Sequence, residues 1–241
     1  MATNSKIEWT DATWNPVTGC RKISAGCKNC YAERMTRRLK AMGKPKYADG
    51  FEVRVHPDYL DQPTRWKASR FVFVNSMSDL FLPDIPAEFV RRVFEVMNRC
   101  RRHTFQILTK RPEVALQLSE QLQWTPNIWM GVTVEDNSVT ERCSYLQKIP
   151  AAVRFASLEP LLTSVPDVSL NSLDWVIVGG ESGPGARPTK SEWVREIRDR
   201  CLTHSVPFFF KQWGGTNKKK AGRELDGRTW DQMPDEYAEI A

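Results

Sequence analysis

Residues 70–75 read RFVFVN, and after a proline at 86 an amphipathic stretch runs to 101 before a second apolar run, TFQILT, at 104–109. The β-branched and aromatic run predicts a strand, and Val90, Val93, Phe94 and Met97 recur at helical spacing to form a buried stripe. The same alternation continues outward in both directions. Further strands are predicted at 128–134 (IWMGVTV), 153–158 (VRFASL), 174–179 (DWVIVG) and 206–211 (VPFFFK), with an earlier one around Trp14 to Val17. Helices are predicted near 31–42, 86–101, 112–122, 137–148 and 190–204, and Pro86, Pro112 and Pro188 stand at or just before helix starts, where a missing N–H costs nothing. Strands alternating with helices predict a parallel sheet of six or seven strands in an α/β fold, a β/α barrel that is complete or partial. The segment 43–68 breaks the alternation with Gly43, Pro45, Gly50, Pro57 and Pro63, and only FEVRVH within it resembles a strand; it reads as an excursion. The polar, glycine-rich stretch 214–241 reads as a lid or a closing extension. One domain spanning 1–241 is the expectation.

Hydrophobic residues make up 41% of the 241 positions and charged residues 27%, enough apolar material for a sizeable core. No run of eighteen apolar residues occurs, and MATNSKIEWTDATWNP has neither a basic nor an apolar leader region, so a cytoplasmic protein with no membrane span is expected. Lys and Arg number 35 against 29 Asp and Glu, a net charge of +6. The excess gathers at Arg34, Arg37, Arg38, Lys40, Lys44 and Lys46 and at Lys218 to Lys220. Such runs suit a polyanionic partner through counterion release, and they equally suit a solvated helix face, as at Arg91, Arg92, Arg99, Arg101 and Arg102.

The chemistry concentrates in TGCRKISAGCKNCYAERM at 18–35. Cys27 and Cys30 form a CxxC loop, and six residues separate Cys20 from Cys27. Three thiolates on one glycine-containing loop (Gly19, Gly26) can converge on a metal centre and leave one coordination position open. Two other readings stand beside this one. A structural zinc site normally takes four protein ligands, yet no second CxxC follows, and His56, His103 and His204 are isolated in sequence. A thioredoxin-type CxxC would leave Cys20 without a role. Cys100, Cys143 and Cys201 fall in amphipathic stretches and read as reduced core residues.

In a β/α barrel the site is built past the C-terminal ends of the strands. Those places hold Asn75, Ser76, Ser78 and Asp79; Thr109, Lys110 and Arg111; Thr133, Glu135 and Asp136; Ser157 and Glu159; Gly179, Gly180, Glu181 and Ser182; and Lys211, Gln212 and Trp213. Any one of them is an ordinary turn or cap residue, but six polar strand ends with a thiolate loop among them predict a pocket. From this set Ser76, Ser78, Asp79, Thr133, Glu135, Gly179, Gly180 and Glu181 are the candidate ligand-binding residues. Gly179 and Gly180 allow close approach of a nucleoside or carboxylate, or simply a tight turn, and Glu181 can bind an amine or a ribose hydroxyl.

TWNPVTGC, the C-x6-C-x2-C spacing, CYAERM, NSMSDLF, LTKRP, SLEPLL, VGGESGPGARP and GRELDGRTWDQMP occur in order along almost the whole chain. Together they resemble the phage-encoded three-cysteine-motif family, a divergent branch of the radical S-adenosylmethionine (SAM) superfamily. The resemblance implies a 4Fe–4S cluster on Cys20, Cys27 and Cys30, with SAM chelating the fourth iron and being cleaved to methionine and a 5′-deoxyadenosyl radical. It departs from the common superfamily pattern in the six-residue first gap and in placing GGE at 179–181, where SMSD at 76–79 holds the usual glycine-rich position; Ser76, Ser78 and Asp79 are therefore assigned to the methionyl amine. The implied function is rearrangement of an amino-acid adduct of thymine in hypermodified phage DNA, met as polymer or nucleotide in the host cytoplasm, with an electron donor such as flavodoxin or ferredoxin. A radical SAM repair or tRNA-modifying enzyme is the alternative within enzymes. A zinc-stapled nucleic-acid-binding module without catalysis is the alternative outside them.

Overall fold

A computed structural model describes residue 5 and residues 7–234. Strands are β1 (Ala12–Trp14), β2 (Val17–Thr18), β3 (Arg54–Val55), β4 (Phe71–Val74), β5 (Thr104–Thr109), β6 (Ile128–Thr133), β7 (Arg154–Leu158), β8 (Trp175–Gly179) and β9 (Phe208–Gln212). Helices are α1 (Tyr31–Ala41), α2 (Ala87–Arg99), α3 (Pro112–Ser119), α4 (Arg142–Leu146), α5 (Ser191–Thr203) and α6 (Lys218–Ala221), with short 3-10 turns between them. Seven strands form one parallel sheet in the order β1-β4-β5-β6-β7-β8-β9. An order that never reverses is that of a β/α barrel wall and differs from a doubly wound sheet, in which the order turns back at a switch point. The α/β class and the strand count therefore agree with the expectation.

The chain clusters into two compact units that interleave along the sequence: 1–23, 30–130 and 149–152 in the first, and 24–29, 131–148 and 153–241 in the second. In the first unit, Ala12 and Trp14 lie beside Val72 and Val74, and Val72 and Val74 beside Phe105 and Ile107, in parallel register. All six are fully buried, as are the Phe89, Val90, Val93, Phe94 and Met97 stripe of α2. Each large apolar side chain so removed from water contributes about 1.5–3 kcal/mol. The first strand ends at Trp14 and does not run on to Val17 as predicted. Pro16 has no N–H for a ladder, and Val17–Thr18 turns away to pair antiparallel with Val55 and Arg54, the FEVRVH segment. The rest of the excursion is a string of 3-10 turns, each opened by a proline (45–47, 57–59, 63–65).

In the second unit, β7, β8 and β9 pair in parallel, with Phe155 beside Trp175 and Ile177 beside Phe209. Val194, Ile197 and Cys201 form the buried side of α5. The predicted helix at 137–148 is a 3-10 turn, with Asp136 accepting from Ser138 N, followed by the single turn and a half of α4. The C-terminal stretch closes the sheet edge: Phe210 N donates to Trp230 O, Gln232 N to Phe208 O, and the Trp175 indole to Gln232 O. An edge strand so covered presents no free ladder. No helix among the described residues is long and apolar enough to cross a membrane.

Candidate functional site

In the first unit the approach to Cys20 is tied to the end of β4. Gly19 N donates to Met77 O, and Ser78 Oγ returns a 2.6 Å bond to Gly19 O. Gly19 has a φ of +80° and a Cβ there would fall 2.0 Å from Glu52 O, so only glycine permits this crossing. Asp79 is buried and fully engaged. One carboxylate oxygen accepts from Phe81 N and Thr109 Oγ1 (3.0 and 2.7 Å), the other from Lys110 N and Arg111 Nη1 (3.0 and 3.1 Å). Arg111 carries this order to the cysteine: Nη2 donates to Arg21 O at 2.7 Å and Nη1 lies 4.0 Å from Cys20 Sγ. Ser76 Oγ donates to Asn15 Oδ1. Ser76 and Ser78 each spend their one proton on a chain acceptor, which leaves oxygen lone pairs to receive an ammonium group. Asp79, by contrast, holds the loop and Arg111.

In the second unit, two carboxylates grip the segment that carries Cys27. Glu135, with no solvent exposure, accepts from Ser24 Oγ and Gly26 N through one oxygen and from Arg142 Nη1 (2.8 Å) through the other, while Arg142 also donates to Thr133 O. Gly26 fits because a Cβ would press on the Glu135 carboxylate at 3.0 Å. Ser24 Oγ lies 4.0 Å from Cys27 Sγ. Glu181 accepts from Asn29 Nδ2, from Arg187 N and from both Arg187 Nε and Nη2, at 2.6–2.9 Å. Burial opposes ionisation of Glu181, but the Arg187 and Asn29 hydrogen bonds outweigh it and draw its carboxyl down to about 2. Glu135 and Glu181 thus position the loop on either side of Cys27. Thr133 enters through its carbonyl.

Gly180 is required by the protein's own packing, since a Cβ there would lie 1.9 Å from Trp213 O, whereas one at Gly179 would press on the Glu159 side chain, with its carboxyl carbon at 3.2 Å. Beside them Lys211 Nζ donates to both oxygens of Glu159, at 2.8 and 2.9 Å.

The six cysteines are all thiols, in no disulfide, and they divide sharply. Cys20, Cys27 and Cys30 are partly exposed, whereas Cys100, Cys143 and Cys201 are buried; burial raises the Cys100 thiol and pushes those of Cys143 and Cys201 up to about 12. Thiolates ligate metals, and the partly exposed thiols are those of the motif, a donor chemistry that fits an iron–sulfur cluster. Among the described residues no three His, Cys, Asp or Glu side chains stand grouped for a metal ion. Sequence reasoning picked out the carboxylates but not the arginines that claim them, Arg142 and Arg187, nor Asn29. Arg142 and Arg187 follow the carboxylates they pair with by seven and six residues, with no shared spacing that would have announced the pairs.

Over residues 4–234 the chain matches the model of a family described as "Protein of unknown function (DUF5131)", and it belongs to that family. No curated protein and no solved structure matches it.

Proposed function

We propose that this chain is a radical SAM enzyme of phage DNA hypermodification, holding a 4Fe–4S cluster on Cys20, Cys27 and Cys30 and rearranging an amino-acid-modified thymine. The observation that carries the reading is the division among the thiols: the three of the C-x6-C-x2-C motif are accessible, and the three outside it are buried. Such a cluster with SAM on its open iron supplies one-electron cleavage of SAM and a carbon-centred radical able to take hydrogen from an unactivated carbon.

The chain's own groups have the complementary tasks. Ser76 and Ser78 offer lone pairs to the methionyl ammonium, and Arg111 presents a cation beside the Cys20 sulfur, matched in charge to a thiolate. Glu135 and Glu181, each neutralised by an arginine, fix the backbone around Cys27. An electron donor of the flavodoxin or ferredoxin kind supplies the electron, and a reducing cytoplasm suits the thiols.

The test is anaerobic reconstitution followed by iron analysis and incubation with SAM and a reductant. About four irons per chain and release of 5′-deoxyadenosine are expected. Stoichiometric zinc without iron, after iron-replete expression, would establish the zinc-stapled module instead.

A further inference from the structure

The ends of β7, β8 and β9 hold a polar group that the cysteine loop does not use. The register between β8 and β9 slips between Val178 and Gly179, so that Gly179 stands opposite Gln212 where regular pairing would place Lys211. Successive strand residues normally point to opposite faces, and a bulge re-aims one of them. Here the result is that Lys211 and Gln212, adjacent in sequence, both reach one carboxylate: Lys211 Nζ bonds both oxygens of Glu159, and Gln212 Nε2 lies 3.3 Å from Glu159 Oε1 and 3.4 Å from Gly180 O.

Two hydrogen-bonding valences are left over. An ammonium has three protons, and Lys211 uses two. Gln212 is 3% exposed, and its Oε1 has no donor among the described residues. Flipping the amide would not help, because the oxygen would then face the Glu159 carboxylate and Gly180 O. A buried acceptor without a donor costs free energy that a ligand N–H can restore.

Resting on the reading above, in which the substrate is a modified thymine, we infer that Lys211 and Gln212 form the site that reads the pyrimidine ring. Lys211 donates to a ring carbonyl, and Gln212 Oε1 accepts from the neighbouring imide N–H. Glu159 is the positioning residue: it orients the ammonium, and Gly179 gives it room. A thymine ring methylated at N3 keeps its carbonyls but has no proton for Gln212.

The experiment is titration of the full chain with thymidine and with N3-methylthymidine, read by calorimetry or ligand-observed NMR. Thymidine should bind, and N3-methylation should weaken it by about tenfold or more, the scale of one lost hydrogen bond to a buried acceptor. Gln212→Met should abolish the discrimination between the two nucleosides, and Lys211→Met should weaken both. Equal affinity of the wild-type chain for the two nucleosides, tighter binding of deoxyguanosine than of thymidine, or no thymidine binding would overturn the inference, and these measurements on the unaltered chain do not depend on how the variants fold. A chain that cleaves SAM but ignores the N3 proton refutes this site alone. One that binds thymidine with the predicted discrimination but holds no iron refutes the radical reading alone.

Discussion

Arg142 lies 2.8 Å from a carboxylate that no solvent reaches, and its own side chain is 7% exposed. Removing one partner of such a pair leaves a buried charge uncompensated, so Arg142→Met should destabilise the fold by about 3–5 kcal/mol in denaturant titration. The double variant with Glu135→Gln should recover part of that loss, since it also removes the stranded charge. The thiols invite the opposite contrast. Cys143→Ala and Cys201→Ala, in the packed interior, should lower stability modestly and leave iron content unchanged. At this scale the sequence set the motif thiols apart from Cys100, Cys143 and Cys201, which are buried, and named acids that the fold buries. It was silent about pairing, because Asp79 with Arg111 and Glu181 with Arg187 are matched by folding and not by any fixed spacing.

Among elements, the apolar runs at 104–109 and 128–134 were readable because buried parallel strands are near-continuous in apolar residues, and α2 because its stripe is strong. Short elements were not. β1 has only three residues and ends at Trp14, just short of Pro16, and α3 ends at Ser119, whose carbonyl is taken by the Trp124 indole five residues on; neither is long enough to display a clear period. Glycines test the turn geometry directly. Gly19 and Gly43 both have positive φ, +80° and +65°, but only at Gly19 does an added Cβ meet backbone, while Gly43 faces open space. Gly19→Ala should therefore lower the melting temperature well beyond Gly43→Ala, which carries only the backbone strain of about 1–2 kcal/mol. Helix α1 exposes Arg37, Arg38 and Lys40 on its surface, with Arg37 paired to Glu33 one turn back. If α1 tracks a phosphate backbone, neutralising these three should weaken DNA binding and flatten its salt dependence without altering SAM cleavage; an unchanged salt slope would make α1 a solvated face.

At the level of the whole molecule, acid should weaken the fold in a defined window. Burial first, and then the charges of Lys46 and Arg54, depress His56 from 6.5 to about 4. The folded chain then binds fewer protons than the unfolded chain between those values, so stability is present above pH 6.5 and is lost as pH falls toward 4. Glu181, depressed from 4.5 to about 2, extends the loss further down. Thermal melts of His56→Gln should be flatter than wild type between pH 6.5 and 4, with the steeper fall below 4.5 retained. The basic excess of +6 and membership of a family matched over 4–234 frame the chain without fixing its chemistry. That rests on the cysteines. The most direct measurement is iron content and SAM cleavage, under anaerobic conditions, for the wild type and six single Cys→Ala variants. The account predicts about four irons and 5′-deoxyadenosine for wild type, loss of both in Cys20→Ala, Cys27→Ala and Cys30→Ala, and retention of both in Cys100→Ala, Cys143→Ala and Cys201→Ala. Iron and cleavage that survive loss of Cys20, Cys27 or Cys30, or a wild-type chain that binds only zinc, would contradict it.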